Sequence, residues 1–290
     1  MLRILLTGVA TLDIINKVRH FPLEDSEVRA TDQHQCVGGN ACNSAMVMQQ
    51  LGIGSSLLAN FADDSSADVI KSELTQQTID ISLCPVEPDS HTPTSYITLN
   101  TSNGSRSIVH YRKLGELHAG QFTQLPVAQF DWLHFEGRNC EQLLKMLQHA
   151  VTYNKPVSIE LEKLRDGIDE ILAFAQVLLI SKPFAIARGF TNANDCLAHF
   201  GHLYPHSIIT CTWGDQGAWL YEKNQIIHQP AFNIENAVDT LGAGDTFNAA
   251  FIAMQAKHYS AVKSLRFACE LAASKCTQHG FQNLTIPILA

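Results

Sequence analysis

Apolar residues along this chain fall into two spacings. Short unbroken runs bounded by glycine or polar residues recur throughout, and between them apolar positions repeat every three or four residues. The first pattern reads as a buried strand and the second as an amphipathic helix. Residues 2–8 form the first run and end at Gly8, the mark of a central strand. A helix opens at Gly38-Gly39-Asn40, carries Ala45, Val47, Met48 and Leu51 inward, and stops at Gly52. From residue 130 the alternation is regular. Strands are expected at 130–135, 157–161, 177–180, 207–212 and 218–221. Helices are expected at 141–153, 167–175, 192–202, 249–257 and 261–279. Such a rhythm predicts an α/β fold whose mostly parallel sheet is covered by helices on both faces. Ligands in such folds bind across the carboxyl ends of the strands.

Residues 93–112 differ in kind. Two β-rich runs flank Asn103-Gly104, a strong hairpin signal, and the alternating stretch 28–36 adds to them. Together they predict a small β-layer inserted among the αβ units, serving as a lid, an interface, or both. The expected organisation is one domain over 1–290, with the inserted layer drawn from about 22–37 and 92–113. No internal repeat is visible.

Composition narrows the partners. At 290 residues the chain can bury a full core, and a net charge of −8 argues against nucleic acid or an anionic membrane. No apolar run approaches a bilayer span, and the first residues are too short and poorly flanked for a signal peptide. The eight cysteines show no C-x-x-C pair and no zinc-ligand spacing with histidine, which suits free thiols in a reducing cytoplasm.

Residues 238–250, Val-Asp-Thr-Leu-Gly-Ala-Gly-Asp-Thr-Phe-Asn-Ala-Ala, carry the densest chemistry. Gly242 and Gly244 allow a tight turn that a ligand can approach, and Asp245 follows at the start of a helix. A helix N-terminus offers free N–H groups and favours an anion. An aspartate there fits phosphoryl transfer to a hydroxyl, which needs support for the phosphoryl oxygens and a carboxylate for the nucleophile's proton. A turn whose Asp245 only caps the helix fits the same spacing. Asp13, just past the first strand, is either a ligand-facing carboxylate or a turn residue. Asn40 and Asn43 share one side of a first helical turn, where paired amides can read sugar hydroxyls; Asn40 as N-cap is the plain alternative. Arg106, near the hairpin turn, can reach a phosphate or sit on the surface. Gly39, Glu136, Ser181, Gly214 and Gly242 all follow predicted strands, so the candidates converge on one edge.

The 239–247 stretch resembles the C-terminal signature of the ribokinase-like (PfkB) carbohydrate kinases, and Gly38-Gly39-Asn40 the N-terminal one. Within that family, 12–15, 22–29, 38–44, 104–106, 134–139, 157–163 and 265–269 are similar to the ketohexokinase branch, fructokinases that phosphorylate the 1-hydroxyl. The resemblance runs from the first strand to the last helix. It implies a three-layer αβα domain with a β-sheet lid, and an ATP-dependent ketose kinase with D-fructose as substrate. It implies Asp245 as the base and Gly242, Ala243 and Gly244 as an anion hole. Asp13, Gly39, Asn40 and Asn43 would hold the sugar. Arg106 and Lys182 would lie near the nucleotide phosphates, and Asp215, Gly217 and Cys269 near the nucleotide. The lid would clasp a second subunit in a homodimer and send Asp25 into the partner's site. Mg2+ is implied, with a monovalent cation as a further option. Where many members carry N-x-x-E, this chain has Ser181-Lys182-Pro183-Phe184, so no metal ligand is assigned. Another ketose or modified hexose, or a sugar-binding sensor without catalysis, stays open beside fructose.

Overall fold

The computed structural model describes residues 2–235 and 237–288. Strand β1 (Arg3–Thr7) has parallel neighbours on both sides, which is why Ile4, Leu5 and Leu6 expose no surface. The chain then gives β2 (Thr11–Val18), β3 (Asp32–Gly38), α1 (Asn40–Gln50), β4 (Gly54–Leu58) and β5 (Phe61–Ala62). Next come α2 (Ser65–Gln76), β6 (Val86–Glu87), β7 (Thr94–Asn100), β8 (Arg106–Tyr111) and α3 (Ala119–Thr123). The regular half follows with β9 (Trp132–Glu136), α4 (Cys140–Ala150), β10 (Val157–Leu161), α5 (Ile168–Ile171) and β11 (Val177–Ile180). After it lie α6 (Lys182–Ala187), α7 (Ala193–Leu203), β12 (Ile208–Thr212), β13 (Ala218–Glu222) and β14 (Gln225–Gln229). Two helices, α8 (Ala243–Ala256) and α9 (Ala261–Cys276), end the series.

The large sheet runs β14-β13-β12-β11-β10-β9-β1-β4, parallel from β12 to β4 with two antiparallel strands at one edge. Successive side chains of a strand point to opposite faces. Ile4 and Leu6 accordingly pack with Met46, Phe247, Phe251 and Leu271 on the α1, α8 and α9 side. Leu5, Leu133 and Phe135 pack with Leu143, Leu147 and Phe200 on the α4 and α7 side. Helices therefore cover both faces, as the alternation predicted. Among the described residues no helix is long and apolar enough to cross a membrane.

A four-stranded sheet, β3-β2-β7-β8, stands apart from the large one. The 93–112 hairpin forms as expected: β7 pairs antiparallel with β8 from Thr94↔Tyr111 to Leu99↔Arg106. Its other half differs from the expectation. The strand begins at Asp32, so 28–31 lie outside it, and β2 joins as a strand not foreseen. Asp13 consequently sits inside β2, opposite Cys36 on one side and Ser95 on the other, and not in a turn. The segment 54–87, with β4, β5, α2 and β6, also went unread. Helix α8 starts at Ala243, so its first turn takes in Asp245 and Thr246, both buried, ahead of the 249–257 run of helix formers.

Candidate active site

The first turn of α1 makes hydrogen bonds to carboxyl groups from three other elements and, at 3.5 Å from Asn40 Nδ2, to Glu162 Oε2. Asn40 Nδ2 donates to Glu160 Oε1 at 3.0 Å, Ala41 N donates to Glu136 Oε1 at 2.8 Å, and Asn43 Nδ2 donates to Asp245 Oδ2 at 2.6 Å. The turn can take this shape because Gly39 precedes it with φ +99°; a Cβ there would lie 2.0 Å from the Val9 carbonyl oxygen. Gly39 is the N-cap and no side chain caps the helix, so Asn40 is not spent on capping.

Each carboxyl group has a different electrostatic setting. Glu136 ends β9 and also accepts from Val9 N and from Arg138 Nη1, both at 3.1 Å. Glu160, near the end of β10, is buried, and its Oε2 has no hydrogen-bond partner among the described residues. Burial, then the charges of Asp245, Glu136 and Glu162, push its pKa well above the ordinary value. Asp245 is in the first turn of α8, with an ordinary value near 3.8 pushed up to about 7. Burial is the largest cause, opposed by the Asn43 hydrogen bond and reinforced by Glu136, Glu162 and Asp13. Asp13 is raised by burial too, against hydrogen bonds from Ser95 and Thr11. The Asn43 amide nitrogen is committed to Asp245, which leaves a buried Oδ1 with no partner among the described residues.

Gly242, at φ +76°, turns the chain into α8, and no side chain caps that end. Thr246 N makes the first helical bond, to Gly242 O at 2.9 Å, while Ala243 N makes a turn bond to Thr240 O at 3.3 Å. Gly244 is exposed and faces open space. Gly242 does not follow a strand, as the sequence suggested: β14 ends at Gln229, and a long link intervenes.

The remaining candidates are spread around this centre. Arg106 Nη1 reaches Thr240 Oγ1 at 3.4 Å across a cleft of about 520 Å³ between the small sheet and residues 237–241. Lys182 begins α6, its ammonium 5.5 Å from the Trp213 ring. Ser181 Oγ caps that helix by accepting from Phe184 N at 3.2 Å, and Pro183 occupies its first turn. Asp215 is exposed in the β12–β13 turn, where Gly217 has φ +93°. Cys269 is buried in α9, its thiol pushed up to about 12 by burial. Asp25 is exposed on the link between β2 and β3 and does not join the carboxyl cluster of its own chain. Glu160 was missed among the candidates because a carboxyl near the end of an apolar strand carries no motif. Its signal was charge at a position the pattern buries.

An uncapped helix N-terminus, a buried carboxyl in its first turn and the Asn43 amide bonded to that carboxyl stand together on an α/β fold. The sequence profile of the pfkB family carbohydrate kinases matches residues 1–289. The chain belongs to this family and is an ATP-dependent sugar kinase. It is 35% identical to ketohexokinase of Mus musculus, covering 97% of this chain and 98% of that one. A ribokinase-type protein of Agrobacterium tumefaciens has a TM-score of 0.86 and 25% identity over 98% of this chain and 94% of that one. Arabidopsis thaliana ribokinase, solved with ribose and ATP, shares the fold at TM-score 0.80 and 18% identity over 96% and 93%.

A raised carboxyl pKa means that the folded chain keeps a proton the unfolded chain has released. Stability is then full below the unfolded pKa and is lost as pH rises toward the folded one. Glu160→Gln keeps the shape and removes this loss. Its urea midpoint relative to wild type is expected to rise between pH 4.5 and pH 8, and a pH-independent difference would contradict the raised pKa of Glu160.

Proposed function

We propose that this kinase transfers the γ-phosphoryl group of ATP to the 1-hydroxyl of a ketose, with fructose as its substrate. The observation that carries the reading is Asp245, a carboxyl poised near neutral pH by burial, hydrogen-bonded to Asn43 and set at an open helix N-terminus. A general base serves best when its pKa lies near the working pH. The 35% identity to a ketohexokinase over nearly the whole chain supports the ketose in particular.

In this reading Asp245 takes the hydroxyl proton as the oxygen attacks the γ-phosphorus, while the bond from that phosphorus to the β,γ-bridging oxygen breaks and ADP leaves with its electron pair. The backbone N–H groups of the 242–244 turn receive the charge on the transferring group. Asn43 Oδ1, buried and unpartnered among the described residues, accepts from a sugar hydroxyl. Gly39 lets the sugar approach the backbone, and Asn40 and Asp13 offer further polar atoms. Arg106 supports the nucleotide phosphates from the small sheet, which acts as a lid. Lys182, Asp215, Gly217 and Cys269 belong to the nucleotide side. Magnesium would arrive with ATP, held by phosphates and water with few protein ligands. Glu162, half-buried beside Asn40, is a carboxylate available to it. Magnesium would neutralise phosphate charge.

The small sheet also supports a homodimer. Strand β8 is exposed along its whole length, and Tyr96, Ile108, Val109 and Tyr111 present apolar surface on this sheet. A long uncovered edge with such residues invites pairing with another chain.

Five outcomes test these statements. Asp245→Asn is expected to lower kcat by about 10³-fold with sugar and nucleotide affinity retained, and wild-type kcat/KM to fall tenfold per pH unit below about 7 as the base is protonated. A coupled ADP assay with calorimetry reads both; near-wild-type turnover would remove Asp245 as base. The product from fructose is expected to be the 1-phosphate, which phosphorus–proton correlation NMR distinguishes from the 6-phosphate. Light scattering at assay concentration should give the mass of two chains, and Asp25→Ala should weaken sugar binding if the partner supplies that residue. A monomer would refute the clasp.

A further inference from the structure

The geometry points to Lys275 as a positioning residue for the turn at 240–244, a built-in cation that holds the phosphoryl-binding backbone in its working shape. This rests on reading the turn as an anion hole. Lysine is almost never fully buried unless paired, yet Lys275 exposes 0% of its surface. Its ammonium group, near the end of α9, donates to Asp239 Oδ2 at 2.6 Å and to the Asp239 carbonyl oxygen at 3.0 Å. Asp239 Oδ1 in turn accepts from Leu241 N at 2.9 Å. One side chain therefore grips the backbone just ahead of the turn and, through the carboxylate, inside it.

Two neighbouring contacts make the end of α9 a platform for the same segment. The Cys276 carbonyl oxygen accepts from Val238 N at 2.8 Å and from Asp239 N at 3.3 Å. The Phe281 ring, 5.6 Å from the Lys275 ammonium, fills the space that a Cβ on Gly242 would need, meeting it at 2.3 Å. A core that needed only stability could place apolar side chains at both 239 and 275, because a buried ion pair often does no better than packed hydrophobes of similar volume. What the pair adds is directional: it fixes a carbonyl, a carboxylate and an amide relative to one another. Anion-hole donors act only when they are aimed within tenths of an ångström of the developing charge.

The test uses the full chain with Lys275→Met, Lys275→Ala and wild type, assayed for turnover with fructose and ATP. In Lys275→Met, kcat is expected to fall about 100-fold, the scale of a misplaced reacting geometry, while the sugar KM changes by less than about twofold. Lys275→Ala leaves a space shaped for a small cation beside Asp239. Methylammonium is expected to restore part of its kcat, and tetramethylammonium, which has no N–H and is too bulky, none. A kcat of Lys275→Met within about threefold of wild type would overturn the role. So would loss of sugar affinity, kcat and Tm together without rescue, the signature of an ordinary core residue. Wild type inactive toward every sugar would refute the proposed function instead. The clamp would then be judged by hydrogen exchange at 240–245. Exchange accelerated in Lys275→Ala and slowed again by methylammonium supports it; unchanged exchange overturns it.

Discussion

The 2.6 Å hydrogen bond from Asn43 to Asp245 joins the first turns of α1 and α8, and much of the architecture serves to keep that bond dry. In water an amide–carboxylate contact is worth little; in a low-dielectric interior it strengthens, and its unpaired neighbours become costly. Helix α8 is accordingly buried almost all round between α1, α9 and the sheet, an environment suited to its run of alanines and phenylalanines. The carboxyl group at its head cannot lose its proton as easily as one in water. A weak acid of this kind suits a base that must release its proton again after each turnover.

The parallel sheet explains why the other acids gather there. Parallel strands end on one side, so Glu136 and Glu160, at the ends of adjacent strands, arrive at the same rim. Bringing several carboxyl groups together is unfavourable, and the structure answers it differently at each. Glu136 is surrounded by donors, Glu160 is buried with its pKa pushed up, and Asp13 is supported by hydroxyl groups from its own small sheet. The graded treatment suits a site that must meet both neutral hydroxyls and a strongly charged phosphate chain.

Legibility in the sequence followed the physics of each element. Strand β11 was read to the residue because its apolar run VLLI is bounded sharply by Gln176 and Ser181, and β10 because its apolar positions Val157, Ile159 and Leu161 alternate. Strand β2 was missed because Thr11–Val18 mixes polar and apolar positions after a glycine, which looks like a loop until β3 and β7 flank it. The first turn of α8 forms although glycine and aspartate are poor helix formers, because burial of Asp245 and Thr246 overrides that preference. Arg106 and Thr240 are far apart in the chain, and only the fold puts them across one cleft.

By itself the sequence determined the αβ layering, the family signatures, and the identities of the residues that could bind an anion or a polyol. Those are properties of local pattern, set by periodicity and by the chemistry of single side chains. Only the tertiary structure decided which acids are buried, which amide atoms are free, and that Lys275 lies beneath the glycine turn. Protonation and hydrogen-bond assignment depend on how much water each group has lost and on what stands beside it, and neither quantity exists until the chain has closed around them.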